Sequence, residues 1–154
     1  MLDHIDKKIL ELLQENARLS NKEIAEQIGL SVTPTYERIK KLENEGVIEK
    51  YVAILNEEKT GNELTVFCMI NLIDQSRSTF NAVEKILKKK PQITSIYSIT
   101  GAYGYLLKIV VKDIKAFNQF VVDELANIKQ ISKYESMVAL DNIKNTTILN
   151  IKVD

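Results

Sequence analysis

The first fifty residues repeat their apolar side chains at the spacing of an α-helix. After Asp3, which suits the N-cap of a helix, apolar residues recur at intervals of three and four positions through residues 5–13. Ser20 and Glu23 have the spacing of a capping box and predict the start of a second helix. Gly29 suits the left-handed turn that would end it. The pattern therefore predicts two short helices before residue 30.

A third helix is predicted over residues 31–44. Ser31 is its expected N-cap, and Pro34 lies in the first turn, where a missing N–H costs little. Gly46 is expected to end the helix. On a helical wheel four apolar side chains share one side and are expected to be buried: Val32, Tyr36, Ile39 and Leu42. Residues 47–55 are rich enough in β-branched side chains to predict a strand or wing.

The apolar period changes after residues 56–62, a polar stretch that contains Gly61 and predicts a linker. Strands and helices then alternate in the order β-α-β-β-α-β. The strands are expected over residues 64–73, 93–100, 105–112 and 131–140, the helices over 80–87 and 113–128, and an additional strand over 146–153. This order is that of a ferredoxin-like unit, so the predicted fold class is α+β. Predicted boundaries are 1–55 for the helical domain and 63–154 for the sheet domain.

Both helices of such a unit cover the same face of the sheet. The opposite face would expose apolar side chains unless a second copy covered it, which makes a homodimer the expected assembly.

Composition excludes several functional classes. The chain has 154 residues, of which 45% are hydrophobic and 27% charged, unlike a disordered chain. No apolar run reaches the roughly 20 residues of a membrane helix, and the N-terminus lacks an apolar signal core, so we expect a cytoplasmic protein without membrane contact. A single cysteine, Cys68, and a single histidine, His4, exclude an internal disulfide and a Cys- or His-rich metal site. No nucleotide-binding loop or nucleophile with a histidine base is present, so neither an enzyme nor a cofactor is expected.

The helices over 20–28 and 31–44 have the spacing of a helix-turn-helix, whose second helix enters the major groove of DNA. Because the net charge is 0, DNA contact would depend on a local patch. Residues 1–60 carry nine Lys and Arg against twelve Asp and Glu, a net charge of −3, whereas residues 32–41 carry +2. The candidate DNA contacts are Arg18, Lys22, Ser31, Thr33, Pro34, Arg38 and Lys41. The alternative is a three-helix bundle with a solvated charged face.

Several stretches in combination resemble the Lrp/AsnC (feast/famine) family of transcriptional regulators. They are residues 2–10 (LDHIDKKIL), 17–20 (ARLS), 28–31 (IGLS), 38–43 (RIKKLE), 46–48 (GVI) and Gly61. The resemblance implies a winged helix-turn-helix joined to a ferredoxin-like (RAM/ACT-like) domain. It also implies binding to double-stranded DNA as dimers, which in that family often assemble into tetramers or octamers, and an amino-acid effector bound between dimers.

The family carries a Gly-x-Tyr-Asp motif near its effector. Here residues 101–105 (GAYGY) match the glycine and tyrosine but not the acid. Ser136 stands where the family often has threonine, and strand alternation points Glu135 the other way. The resemblance implies these effector-binding residues: Gly101, Ala102, Tyr103, Gly104, Tyr105 and Ser136. The alternatives are a glycine turn that serves only a dimer interface, a ligand-independent architectural repressor, and a ligand-gated assembly module.

Overall fold

The computed structural model describes residues 2–151, which form two compact units. One unit comprises residues 2–54 and 144–151, and the other comprises residues 55–143. The C-terminal tail, placed by the sequence in the sheet domain, thus packs with the helical one. The Leu149 amide donates to Gln14 Oε1 at 2.6 Å, and Gln14 Nε2 donates back to the Leu149 carbonyl at 3.2 Å. No helix within residues 2–151 combines the length and apolar character needed to cross a bilayer.

The helical unit contains the three predicted helices. Their bounds are His4–Glu15 (α1), Asn21–Ile28 (α2) and Val32–Asn44 (α3). Capping boxes start two of them: Asp3 pairs with Asp6 ahead of α1, and Ser20 pairs with Glu23 ahead of α2. Gly29 ends α2 with a φ of 73°, in the left-handed region where a side chain would be strained. The caps predicted for α1 and α2 are therefore confirmed.

The predicted buried face of α3 is partly wrong. Thr35, Ile39 and Leu42 are buried, whereas Val32 and Tyr36 are 46% and 47% exposed. Thr35 can be buried because its hydroxyl donates to the Ser31 carbonyl at 2.9 Å, which satisfies the polar group. The helix is therefore rotated from the orientation that apolar residue type alone would give it.

The strand predicted over residues 47–55 is not formed in the structure, which describes all of these residues. The Val47 and Ile48 amides both donate to the Leu42 carbonyl, which folds the chain back after α3. Within residues 2–151 no strand pairs with this segment beyond that turn. Residues 146–151 likewise form no strand, and Lys152 and Val153 of that prediction lie outside the described residues.

The second unit confirms the ferredoxin-like prediction. Its elements are β1 (Leu64–Leu72), α4 (Arg77–Leu87), β2 (Ile93–Ser98), β3 (Tyr105–Val111), α5 (Ile114–Phe120) and β4 (Ile131–Val138). A π-helical turn, Val121–Leu125, extends α5. The strands form one antiparallel sheet in the order β2-β3-β1-β4. The predicted linker, residues 56–62, contains a 3₁₀ turn, Glu58–Thr60, which ends at Gly61 with a φ of 75°.

The two faces of the sheet differ. Side chains that alternate along the inner strands β1 and β3 form the main core with α4 and α5: Val66, Cys68, Ile70, Tyr105, Leu107, Ile109 and Val111. The residues between them point to the other face, which we call the open face. Its apolar members include Phe67, Met69, Leu106, Tyr97 and Met137, and the last two are 56% and 48% exposed.

Candidate nucleic-acid interface and ligand site

Helix α3 presents one mixed surface away from the core of the helical unit. The exposed side chains of its first three turns are Val32, Thr33, Tyr36, Glu37, Lys40 and Lys41. Ser31 occupies the predicted N-cap position, but its side chain makes no capping hydrogen bond. Pro34 lies half-buried in the first turn, as predicted. The first turn of α3 contains no acidic side chain, so the positive end of the helix dipole is not offset there.

Arg38, one of the DNA contacts predicted from the sequence, is held in ion pairs within the helical unit. Its Nη1 lies 2.6 Å from Asp3 Oδ2 and 2.6 Å from Asp6 Oδ1. The Asp6 side chain is 5% exposed and that of Arg38 is 33% exposed. The hydrogen bonds and charges of the two carboxylates raise the pKa of Arg38. The structure thus places this guanidinium as a brace between α1 and α3, not on the outward surface of α3.

The other basic residues predicted to contact DNA are exposed to solvent. Lys41 Nζ is 3.9 Å from Glu45 Oε1, and both side chains are more than half exposed. Arg18 and Lys22 are exposed as well, and within residues 2–151 neither side chain forms an ion pair. Exposed lysines and arginines at such positions can neutralise phosphates of a nucleic-acid backbone. Thr33, also exposed, adds a hydroxyl near the N-terminus of α3.

A hydrogen-bonded group connects α3 to the segment after it. Lys40 Nζ lies 2.7 Å from Glu43 Oε2, and the Tyr51 hydroxyl donates to Glu43 Oε1 at 3.1 Å. Burial and the Glu43 carboxylate raise the pKa of Tyr51 to about 12, so the phenol keeps its proton. The bond from Lys40 lowers the pKa of Glu43, which keeps that carboxylate charged. Lys40 is therefore neutralised by Glu43, and the segment that holds Tyr51 is tied to α3.

In the second unit the predicted glycine turn is held to β1 by one side chain. Asn71 Nδ2 donates to the Ala102 carbonyl at 2.7 Å, and its Oδ1 accepts from the Gly104 amide at 2.9 Å. Gly101 has a φ of 115°, which only glycine adopts readily. The turn between β2 and β3 is therefore fixed in shape and presents Tyr103 at one end of the sheet.

Tyr103 meets two charged residues of β4. Its hydroxyl donates to Glu135, and Lys133 Nζ lies 5.1 Å from the centre of its ring. The contact with Tyr103, with a smaller effect of Glu135, raises the pKa of Lys133. Glu135 pairs with Met69 and so lies on the open face, opposite to its neighbours along β4. Strand alternation predicted the face of Glu135 correctly but did not predict its contact with Tyr103.

Two of the predicted effector residues, Tyr105 and Ser136, do not join this group. Tyr105 is 2% exposed on the helix-covered face, where its hydroxyl donates to Glu84 Oε1 at 3.0 Å. Burial and then that hydrogen bond raise the pKa of Tyr105 to about 12. Ser136 pairs with Cys68 and faces the same side. The structure therefore splits the predicted set between the two sides of the sheet.

Sequence reasoning missed two residues near the turn, Asn71 and Lys133, and did not predict the contact between Glu135 and Tyr103. Asn71 carried a signal, because it is the one amide within the apolar run of residues 64–73. Lys133 carried none, since charged residues on an edge strand are common. Among residues 2–151 no group of three or more His, Cys, Asp or Glu side chains converges to hold a metal ion.

Comparison with known proteins covers nearly the whole chain. Residues 2–49 match a winged helix-turn-helix DNA-binding model, and residues 65–149 match the Lrp/AsnC ligand binding domain. The transcriptional regulator AzlB of Bacillus subtilis is 36% identical over 98% of this chain and 96% of its own length. The leucine-responsive regulatory protein of Rhizobium meliloti is 33% identical, with 97% and 96% covered. A crystal structure of a Neisseria meningitidis transcriptional regulator in complex with L-methionine matches with a TM-score of 0.92 and 34% identity, covering 97% of this chain and 96% of that one.

Proposed function

The chain belongs to the Lrp/AsnC family of transcriptional regulators, and from that premise we propose how it performs DNA binding and ligand response. It is a DNA-binding transcriptional regulator with a ligand-binding domain. In our proposal α3 enters the major groove, two copies pair through the sheet domain, and a small molecule binds beside the glycine turn. We assign the protein no reaction and place it in the cytoplasm with its DNA.

The observation that carries the DNA proposal is the exposed surface of α3 with basic residues on and beside it. We propose that Lys41, Lys22 and Arg18 contact phosphates, while Ser31 and Thr33 reach the backbone at the N-terminus of α3. Pro34 shapes this first turn. Arg38 is left out of the contact set because Asp3 and Asp6 already engage it.

A salt titration tests these contacts. In a mobility-shift assay, Lys41→Ala and Lys22→Ala should each weaken binding and flatten the slope of log affinity against log salt by about 1. Lys89→Ala is the matched control, since Lys89 is an exposed lysine of the second unit. Slopes equal to that of the wild type in both variants would reject this surface as the DNA interface.

We propose that the open face of the sheet forms the homodimer interface. Met137 and Tyr97 are about half exposed there, and Phe67, Met69 and Leu106 lie between them. Burying such a face removes apolar surface from water. A dimer carries two α3 helices, which suits half-sites about 34 Å apart or a multiple of that distance. Met137→Lys should shift the protein toward monomer in light scattering, and an unchanged dimer mass would contradict the proposed interface.

The ligand proposal concerns an amino acid. The similar Neisseria protein was crystallised with L-methionine. Here Glu135 offers a carboxylate for an ammonium group, and backbone amides of the turn could hold the ligand's carboxylate. Glu135 thus takes the place of the acid that the turn lacks.

Calorimetry with a panel of amino acids tests the ligand site. A responsive amino acid should bind the wild type and bind Glu135→Gln at least tenfold more weakly, because a charged partner is lost. Lys115→Gln, an exposed charge on α5, is the matched control. Normal DNA binding with no heat from any amino acid would favour a ligand-independent architectural repressor. Heat together with a change in mass by light scattering, but no change in DNA affinity, would favour a ligand-gated assembly module.

A further inference from the structure

Two apolar side chains interrupt the polar surface of α3. Val32 and Tyr36 are four positions apart, so they lie one above the other on the helix. They are 46% and 47% exposed, even though valine and tyrosine are types that the core could have taken. The structure instead buries Thr35 in that core, with 0% of the residue exposed. Exposure of the apolar pair therefore follows from how α3 is rotated against α1 and α2.

The pair lies in the half of α3 that faces a DNA duplex in the proposed function. Ser31 does not cap the helix with its side chain, and no acid lies in the first turn. The N-terminal amides of α3 are therefore suited to a phosphate, which would place the first two turns against the groove. Val32 and Tyr36 occupy these two turns, beside the hydroxyl of Thr33.

The ring of Tyr36 is positioned by its neighbours. Lys40 Nζ lies 5.8 Å from the ring centre, and Lys40 is bound at 2.7 Å to Glu43. Glu43 is in turn bound by the Tyr51 hydroxyl. Lys40 and Glu43 neutralise each other, so this contact adds little net charge beside the ring, although the neighbouring Glu37 is exposed. The ring is thus presented as an apolar contact, not as part of a phosphate clamp.

We propose that Val32 and Tyr36 recognise thymine by contact with its 5-methyl group in the major groove. This inference rests on the proposed DNA-binding function and assigns it a specificity-determining pair. The methyl group is the one apolar feature of a base edge in that groove, and apolar side chains recognise it. The exposed basic residues supply affinity that depends on salt, whereas Val32 and Tyr36 supply discrimination between sequences.

The test removes the methyl group from the DNA. A duplex is first selected from a random pool by the wild-type protein, and each thymine is then replaced singly by deoxyuridine. Wild-type affinity should fall about fourfold at each contacted position, the equivalent of about 0.8 kcal/mol for one buried methyl. Val32→Ala and Tyr36→Ala should lose this sensitivity at their own positions, while Tyr36→Phe should keep it. Val122→Ala is the control, because Val122 is an apolar residue of the second unit that is 65% exposed.

The outcomes separate the inference from its premise. Less than twofold loss at every deoxyuridine position, with tight binding to the selected duplex, would overturn the inference and leave the proposed function standing. The inference is also overturned, with the proposed function left standing, if Val32→Ala and Tyr36→Ala weaken binding equally on thymine and deoxyuridine duplexes. If the wild type selects no duplex at all, the DNA-binding function itself fails. Thermal unfolding of each variant checks that the fold is kept. We expect it to be kept, because substitutions at half-exposed positions usually change stability little.

Discussion

Replacing Arg38 by alanine should destabilise the helical unit and leave the count of phosphate contacts unchanged. In the wild type Arg38 binds Asp3 and Asp6 at 2.6 Å each. After the substitution, the Asp6 carboxylate keeps the hydrogen bond from the Asp3 amide, which donates to its Oδ2 at 3.2 Å. A carboxylate that is 5% exposed would then lack its cationic partner.

The magnitude follows from this burial. Removing one partner of a fully buried ion pair costs about 3–5 kcal/mol. Arg38 is 33% exposed, so water can partly replace it, and we expect a loss of about 2 kcal/mol in the free energy of unfolding. For a unit of this size that corresponds to a fall of roughly 10 °C in Tm. Asp6→Asn in the same chain should recover much of the loss, because it removes the unpaired charge.

Thermal unfolding followed by circular dichroism measures the stability, and the salt slope of DNA binding, taken well below Tm, measures phosphate contacts. Lys41→Ala is the comparison: its surface pair should change stability by less than about 0.5 kcal/mol while the salt slope flattens. The reasoning is refuted if Arg38→Ala keeps the wild-type Tm and flattens the slope by about 1, since Arg38 would then be a phosphate contact.

Three further predictions concern other parts of the chain. Gly29→Ala should lower stability by about 1 kcal/mol in thermal unfolding, because the φ of 73° strains a side chain; an unchanged Tm would show that the turn relaxes. Gln14→Leu should speed hydrogen exchange at the Leu149 amide, and equal rates would mean that the tail is held otherwise. The hydrogen bond from the Asp6 amide, and after it the hydrogen bond from Arg38, lowers the pKa of Asp3 in the folded state. The Asp3 carboxylate therefore stabilises the fold at pH values above its pKa in the unfolded chain, and this stabilisation is lost as the pH falls through its pKa in the folded state. The free energy of unfolding of Asp3→Asn should therefore change less with pH between about pH 2 and pH 6 than that of the wild type. Parallel curves of unfolding free energy against pH would contradict this.

Local signals in the sequence determined where α1 and α2 begin and where α2 ends. Asp3, Ser20 and Glu23 specify helix starts because their side chains satisfy amides within three residues of themselves. Gly29 specifies a helix end for an equally local reason, its freedom to adopt positive φ. The change of apolar period after residue 62 and the order of strands and helices were enough to predict the ferredoxin-like topology, since few arrangements satisfy right-handed crossovers.

The tertiary structure decided which side of each element faces inward and which charges are already paired. Thr35 displaced Val32 and Tyr36 from the core because a hydroxyl bonded to its own helix can be buried. Arg38 was removed from the outward surface by carboxylates 35 and 32 residues away along the chain. Glu135 and Tyr103 meet across a similar separation in sequence. Such pairings depend on packing between distant segments, and residue spacing along one helix or strand does not contain that information.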